Sequence, residues 1–338
     1  MRLYAGIDLH ANNSVVVIMD DDDRIVYQKR LHNELGAILQ GLGTYQDRLQ
    51  GVVVESTYNW YWLVDGLMAA GYRVHLANTT AIEQYKGLKH SDDQSDARWL
   101  AHLLRLGILP EGYIYPKEER AVRDLLRKRS QLVRQRTTNL LSIRNLFTRN
   151  TGGAPSSTRI KHLTAAEVEQ LFPQVEVALA VKSNLTVLHC LEEQIAQLED
   201  VVLAQLKLHE GFRSLLTVSG IGQILGMTIM LETGTISRFA TVGDFASYCR
   251  CVSSQKLSNG KRKGQGNIKN GNKYLAWAFV EAANFAVRYN AQIKRFYQRK
   301  RAKTNSVVAI KAVAHKLARA CYYMLRDQVP FEVDKAFT

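Results

Sequence analysis

The apolar positions of the first hundred residues come in short blocks rather than long periodic stretches. Residues 3–8 read as a buried strand that ends in a carboxylate, and residues 14–19 are β-branched and apolar. The acidic run 20–23 makes a turn, and residues 24–31 fit a third strand. Strand, turn and strand with no helix between them predict an antiparallel meander. A short helical stretch follows at 33–42. Residues 50–54 make a fourth strand that runs into Glu55; 60–70 are helical and stop at Gly71; 72–77 make a fifth strand. A helix over 93–106 is closed by Gly107 and Pro110.

Beyond residue 117 the period changes. Leu126, Val133, Leu140 and Phe147 recur every seven residues, with Arg127-Lys128-Arg129 between them. Residues 117–149 carry ten Lys or Arg against three acids, which fits a long helix with an apolar seam and basic flanks. Gly152, Gly153 and Pro155 break it. A second long helix over 175–209 places Val181, Leu188, Leu191, Ile195, Leu198, Val202 and Leu206 on a heptad-like seam. An intramolecular helical hairpin and a dimerising coiled coil suit that seam equally.

From Gly211 a new region begins. Residues 214–231 read as helix, Ser219-Gly220-Ile221-Gly222, helix, a pattern like a helix-hairpin-helix whose turn offers backbone N–H groups to a phosphate. Residues 253–273 hold six basic residues, four glycines and no acid, and are read as a flexible basic loop without a packed core. A basic helix follows, ending at Lys303. A last one, from about Ser306 to Arg326, puts Lys311, His315 and Arg319 on one face. The fold class is therefore α/β plus α. Residues 1–155 form an α/β domain with a basic helix, 156–210 a coiled-coil connector, and 211–338 a mostly helical domain. The element order β-β-β-α-β-α-β-α is that of the ribonuclease H-like fold of RuvC-type nucleases, a likeness of fold alone.

Charge sharpens this picture. The 338 residues are 46% hydrophobic, enough for a core, and 45 basic against 31 acidic residues give +14. Such an excess points to a polyanionic partner. No run of 18 apolar residues exists, so no membrane span is expected. The start, Met1-Arg2-Leu3-Tyr4, enters a strand without a signal peptide's apolar stretch, and a cytoplasmic location is expected. Four cysteines do not make a disulfide framework, and Cys249 and Cys251 have no second pair for zinc. All four are read as small buried hydrophobes.

The candidate chemistry lies in the acids. Asp8 and Glu55 end strands that the expected sheet makes neighbours, and Asp93 and Asp96 share a helical face at i and i+3. Asp92 with Asp96, at i and i+4, is the alternative pair. Four converging carboxylates repel one another unless a cation is bound. Oxygen ligands suit Mg²⁺ or Mn²⁺, and two such ions about 3.5–4 Å apart can hold both reacting oxygens of a phosphodiester. The basic loop offers Ser253, Ser254 and Ser258. A serine there could attack phosphorus, or simply sit in a nucleic-acid contact. Candidate nucleic-acid contacts are Arg127, Lys128, Arg129, Gly220, Gly222, Lys261, Arg262, Lys263, Lys269, Lys311 and Arg319. Tyr289, Phe296 and Tyr297 are placed either to stack on bases or to pack between helices.

Gly6-Ile7-Asp8, Val54-Glu55-Ser56-Thr57, the run Ser-Asp-Asp-Gln-Ser-Asp-Ala at 91–97, Gly220-Ile221-Gly222 and the segment 258–272 together resemble the insertion-sequence one-ten family of DEDD transposases. Piv-type DNA invertases are relatives of that family, and the last segment is similar to its one-one-one-one subgroup. The resemblance spans nearly the whole chain. It implies a RuvC-like domain with Asp8, Glu55, Asp93 and Asp96 as the metal-binding tetrad, with Mg²⁺ or Mn²⁺ as cofactor. It implies a C-terminal transposase domain whose serine links covalently to donor or target DNA. Dimers through the coiled coil would pair into a tetramer with composite active sites. An element-encoded guide, a bridge RNA, would read both DNAs by base pairing. Spacing back from Lys269-x-Gly271-Asn272 favours Ser258. The family's Gly-Leu-x-Pro before the serine is absent, since residues 249–254 read Cys-Arg-Cys-Val-Ser-Ser, and Asn259 separates Ser258 from Gly260. The acids and the charge also suit a hydrolytic RuvC-like nuclease. A binding protein without catalysis would not need a clustered tetrad.

Overall fold

A computed structural model describes residues 1–82, 93–206, 209–252, 256–264 and 270–337. The chain divides into two compact units, Met1–Lys117 and Glu118–Thr338.

In the first unit the expected element order is observed. Strands β1 (Leu3–Leu9), β2 (Asn13–Asp20) and β3 (Ile25–His32) form the meander. Helix α1 (Leu35–Gly43), strand β4 (Leu49–Glu55), helix α2 (Tyr61–Ala69), strand β5 (Val74–Ala77) and helix α3 (Asp93–Leu106) follow. The sheet order is β3-β2-β1-β4-β5. The β1–β2 and β2–β3 pairs are antiparallel, and β1–β4 and β4–β5 parallel.

Period-two alternation decides which side chains face which helices. Leu3, Ala5, Ile7 and Leu9 of β1, with Val52 and Val54 of β4, pack into one cluster with Ile38, Leu42, Leu63 and Leu67 of α1 and α2. The opposite face carries the intervening positions. Ala97 packs on Val15 and Val17, Leu100 on Val53 and Ala77, and Ala101 on Tyr4 and Met19. Asp8 and Glu55 fall by the same alternation on the α3 face.

Helix α3 lies unusually deep on that face. A Cβ added at Gly6 would stand 2.0 Å from the Ala97 carbonyl oxygen and 2.8 Å from the Ala101 amide nitrogen, so only glycine admits the helix. The far end of α3 is held by charge. Asp23 accepts from Arg105 Nε at 2.8 Å and Nη2 at 2.6 Å, and its Oδ1 lies 2.8 Å from His102 Nδ1. The acidic run read only as a turn thus anchors a helix about 80 residues downstream in the chain.

The second unit is helical apart from one hairpin. Helices α4 (Lys117–Thr151), α5 (Ser157–Lys161), α6 (Ala165–Leu171) and α7 (Val175–Leu206) precede α8 (Glu210–Leu215), α9 (Gln223–Thr233) and α10 (Val242–Tyr248). Strands β6 (Lys256–Ser258) and β7 (Lys261–Gly264) pair antiparallel. Helices α11 (Lys273–Tyr289), α12 (Ala291–Lys303), α13 (Ser306–Asp327) and α14 (Val333–Phe337) end the chain.

The heptad seam of α7 is used within the chain. Arg129 pairs with Glu199 at 2.6 Å and Arg136 with Glu192 at 3.9 Å, seven residues on along α4 and seven back along α7. That antiparallel register brings Leu126 into one cluster with Val202, and Phe147 into another with Val181 and Leu188. The seam of α7 therefore packs against α4 of the same chain.

Within the basic segment, residues 256–264 form a hairpin. Asn259 and Gly260 both take positive φ, 51° and 71°, which is the pattern of a two-residue type I′ hairpin turn. Asn-Gly between two short strands was the signal; the charge density obscured it. No helix among the described residues is long and apolar enough to cross a membrane. Cys249 and Cys321 are buried as expected, whereas Cys190 is exposed on α7.

The Gly6 contact is testable. Replacing Gly6 with valine should force α3 off β1 and cost about 3 kcal/mol by overpacking. A thermal melt reads it. Gly43→Ala, where nothing lies within 4 Å of the added methyl, should not lower the melting temperature.

Candidate active site

Three elements assemble the acids. Ile7 pairs with Val54 in the parallel β1–β4 ladder, so Asp8 and Glu55, one residue on in each strand, stand side by side. The first turn of α3 contributes Asp93 and Asp96. Asp8 is buried, and the other three are half-buried.

Electrostatics shows how close the acids are. Burial pushes the Glu55 carboxyl up to about 8, helped by a hydrogen bond to Asp8 and by the charges of Asp8 and Asp96. Glu55 and Asp96 also line one cavity of about 300 Å³ with Thr79, Ile82, Trp99 and Leu100. Asp93 is held differently. Its hydrogen bond from Arg30, then the charges of His10 and Arg30, lower its pKa against the penalty of burial.

Asp8 therefore belongs to two groups. One is Asp8, Glu55 and Asp96. The other is Asp8, His10 and Asp93, whose ligand atoms all lie within 4.8 Å of one another, a spacing that could hold a metal ion. His10 Nε2 lies 3.1 Å from Asp8 Oδ2 and 3.3 Å from Asp93 Oδ2. It is closed off from solvent, yet it makes no hydrogen bond. An orphaned ring nitrogen facing two carboxylate oxygens fits a divalent cation better than it fits an empty polar pocket. His10 and Arg30 were not among the expected site residues. The spacing Asp8-x-His10 was the available signal. Asp92, the alternative to Asp93, lies outside the described residues.

Residues 5–150 match a family profile described as "Transposase", the DEDD type of IS110, and residues 213–298 match "Transposase IS116/IS110/IS902 family". Together they cover both units. The chain belongs to the IS110/IS116/IS902 family of transposases. It is similar to a "Probable family 20 transposase" of Pseudomonas aeruginosa, 29% identical over 282 residues, or 78% of this chain and 80% of that protein. It is also similar to the "Transposase for insertion sequence element IS1111A" of Coxiella burnetii, 21% identical over 300 residues, or 84% of this chain and 78% of that protein.

The transposase is a DNA recombinase, and its basic residues divide into two groups. Arg127 is half-buried. It forms a two-pronged pair with the buried Glu232, at 2.6 and 2.7 Å, with the Tyr274 ring 4.9 Å away. Burial works against its charge, but Glu232 outweighs burial and raises its pKa. Arg129 is committed to Glu199. Lys128, by contrast, is exposed, its Nζ only 3.3 Å from Gln131 of its own helix.

Lys261, Lys263 and Lys311 are exposed and Arg319 half-buried. Arg262 sits on β7 opposite Leu257. Lys269 lies outside the described residues, as do Ser253 and Ser254. Ser258 is exposed at the end of β6, immediately before the turn and paired with Lys261.

Gly220 and Gly222 differ. A Cβ at Gly220 would meet the Ala286 nitrogen at 2.5 Å and the Ala282 oxygen at 2.6 Å, so this glycine serves packing against α11. Gly222 is exposed at the N-terminus of α9. Phe296 and Tyr297 pack on the helical core, while Tyr289 is exposed and stacks on Phe285.

Glu55 gives a pH signature. Without metal, the folded state keeps the Glu55 proton that the unfolded chain has released above the ordinary carboxylate range. Stability in chelator should therefore fall as pH rises from near 4.5 through about 8. Glu55→Gln should remove that slope, melting higher than the wild type at about pH 9 and level with it at about pH 5. Melts of the chelated proteins at the two pH values check this.

Proposed function

We propose that Asp8, Glu55, Asp93 and Asp96 of a RuvC-like domain hold Mg²⁺ or Mn²⁺ and that this transposase cuts and rejoins DNA through a serine–DNA intermediate. The observation that carries the first part is the juxtaposition of Asp8 and Glu55 at the ends of paired strands with Asp96 nearby; burial, then the hydrogen bond to Asp8 and the charges of Asp8 and Asp96, push Glu55 up to about 8. A cation there would relieve the repulsion. When bound, such an ion supplies Lewis-acid stabilisation of the charge on a transferring phosphoryl group. Asp8 and Glu55 are fixed by the sheet ladder and Asp93 and Asp96 by α3, so the acids are pre-positioned by rigid elements.

Ser258 is the proposed nucleophile. Its Oγ would attack phosphorus and release its proton to solvent, and the displaced DNA oxygen would take up a proton as its bond to phosphorus breaks. The phosphodiester is conserved in the protein linkage, so a second DNA oxygen can reverse the attack without an outside energy source. Exposure of Ser258 beside Lys261 and Lys263 supports the assignment, since cations there would favour the approach of a phosphate. Lys128, Lys261, Arg262, Lys263, Lys269, Lys311 and Arg319, with the backbone at Gly222, form the proposed nucleic-acid footprint, which includes an element-encoded guide RNA. Homodimers pairing into a tetramer complete the proposal. Leu141 of α4 and Leu179 and Val187 of α7, exposed outside the internal seam, support a further helix contact.

Two measurements test this. Asp8→Ala and Glu55→Ala should abolish recombination in a plasmid assay while leaving DNA binding within about twofold; a loss of binding to match would count against a purely catalytic role. On denaturing gels a protein–DNA adduct should form with the wild type and be absent with Ser258→Ala. Nicked DNA with no adduct would instead identify a hydrolase.

A further inference from the structure

The imidazole of His10 is the best-defined feature of the acid cluster that the family pattern does not use. Its main chain is clamped from three directions. The His10 N–H donates to the Asn13 carbonyl at 2.9 Å. Its carbonyl accepts from Asn33 Nδ2 at 2.9 Å and from Asn59 Nδ2 at 3.0 Å. Each asparagine is itself held, Asn33 by the buried Ser14 hydroxyl at 2.7 Å and Asn59 by Thr57 at 2.8 Å. The start of β2 and the loops after β3 and β4 thus cooperate to place one residue two positions beyond Asp8.

That placement aims Nε2 at Asp8 Oδ2 and Asp93 Oδ2, at 3.1 and 3.3 Å. The atom is buried, and neither contact has hydrogen-bond geometry. Two anionic oxygens converging on this ring nitrogen call for a positive charge there, supplied by a proton on Nε2 in the metal-free protein and by a metal ion that displaces that proton when one binds. Arg30 Nη2 meets the same Asp93 oxygen, so Asp93 Oδ2 is shared between the guanidinium and the three-atom cluster.

We propose that His10 Nε2 is a nitrogen ligand that shares one divalent ion with Asp8 and Asp93 and biases this position toward Mn²⁺ over Mg²⁺. The inference rests on the reading that the carboxylates hold divalent metal. It goes beyond that reading in naming a ligand outside the four acids and the metal preference that follows. Mg²⁺ prefers an all-oxygen octahedron, whereas Mn²⁺ lies further along the affinity order and accepts imidazole more readily.

The test uses the full-length chain, stripped with chelator, and Mn²⁺ alone as the probe. Binding is followed by loss of the free Mn²⁺ signal in electron paramagnetic resonance. Nitrogen coordination is read by pulsed measurement of coupling to the imidazole, and Mg²⁺ affinity by competition. The wild type should bind Mn²⁺ with a nitrogen coupling, and Asp8→Asn should abolish binding. His10→Gln should lose the coupling and lower the Mn²⁺-over-Mg²⁺ preference by about tenfold while keeping Mg²⁺ affinity. His10→Ala, with unchanged circular dichroism, controls for the amide.

Asp8-dependent Mn²⁺ binding with no nitrogen coupling and no change in His10→Gln would overturn the role of His10 alone. No Mn²⁺ binding in the wild type, or binding that survives Asp8→Asn, would overturn the carboxylate reading and this inference with it.

Discussion

Helix α3 reaches its depth on the sheet because β1 carries no side chain at position 6. The Ala97 carbonyl occupies the place where a Cβ would stand, and everything in the acid cluster inherits its position from that contact. With α3 seated there, its first turn brings Asp96 against Glu55 and Asp93 within reach of His10. The salt-bridged end at Asp23 prevents the helix from pivoting about the glycine. Backbone proximity at one point and charge at the other together set the geometry of a site whose own charges oppose its assembly.

The opposition of charges runs through the whole molecule. The first unit gathers acids at the ends of β1, β4 and α3, with His10 and Arg30 beside Asp93. The second is strongly basic, yet part of that charge is spent internally. Arg127 and Arg129 brace α4 against Glu232 and Glu199, and Asn272 joins the same network by donating to Glu232 at 2.7 Å. A net charge of +14 therefore overstates the cationic surface available to a polyanion. Breaking the Arg127–Glu232 pair from one side would strand a buried carboxylate, so the pair acts as a structural commitment rather than a spare contact.

Much of the first unit was legible. The expected strand order made the ends of β1 and β4 neighbours and so brought Asp8 to Glu55, and Gly107 and Pro110 closed α3 where it is observed to end. The fate of the basic residues was not, because their partners lie 70 and 105 residues away and only packing reveals them. The Lys-x-Gly-Asn run used to locate the serine proves to be helix-start chemistry. Gly271 takes φ 89° under the Tyr248 carbonyl, and Asn272 caps α11 through Tyr274 and Leu275. The departure from the family's serine–glycine spacing has a local cause too: Asn259 tolerates the left-handed conformation that a two-residue turn requires. Composition dominated the reading of that segment, and the turn dipeptide within it carried the better information.

The antiparallel pair α4 and α7 has a mechanical consequence. At 1.5 Å per residue, the 35 residues of α4 extend about 52 Å, roughly one and a half turns of duplex DNA. Its distal third is wedged where Phe147 meets Phe172 at the end of α6, with rings 4.8 Å apart, and by the short helices α5 and α6. The near third is bolted by Arg127. A beam held near both extremities and stiffened by ion pairs between them resists bending, and through Arg127, Glu232 and Asn272 it is tied to the cap of α11.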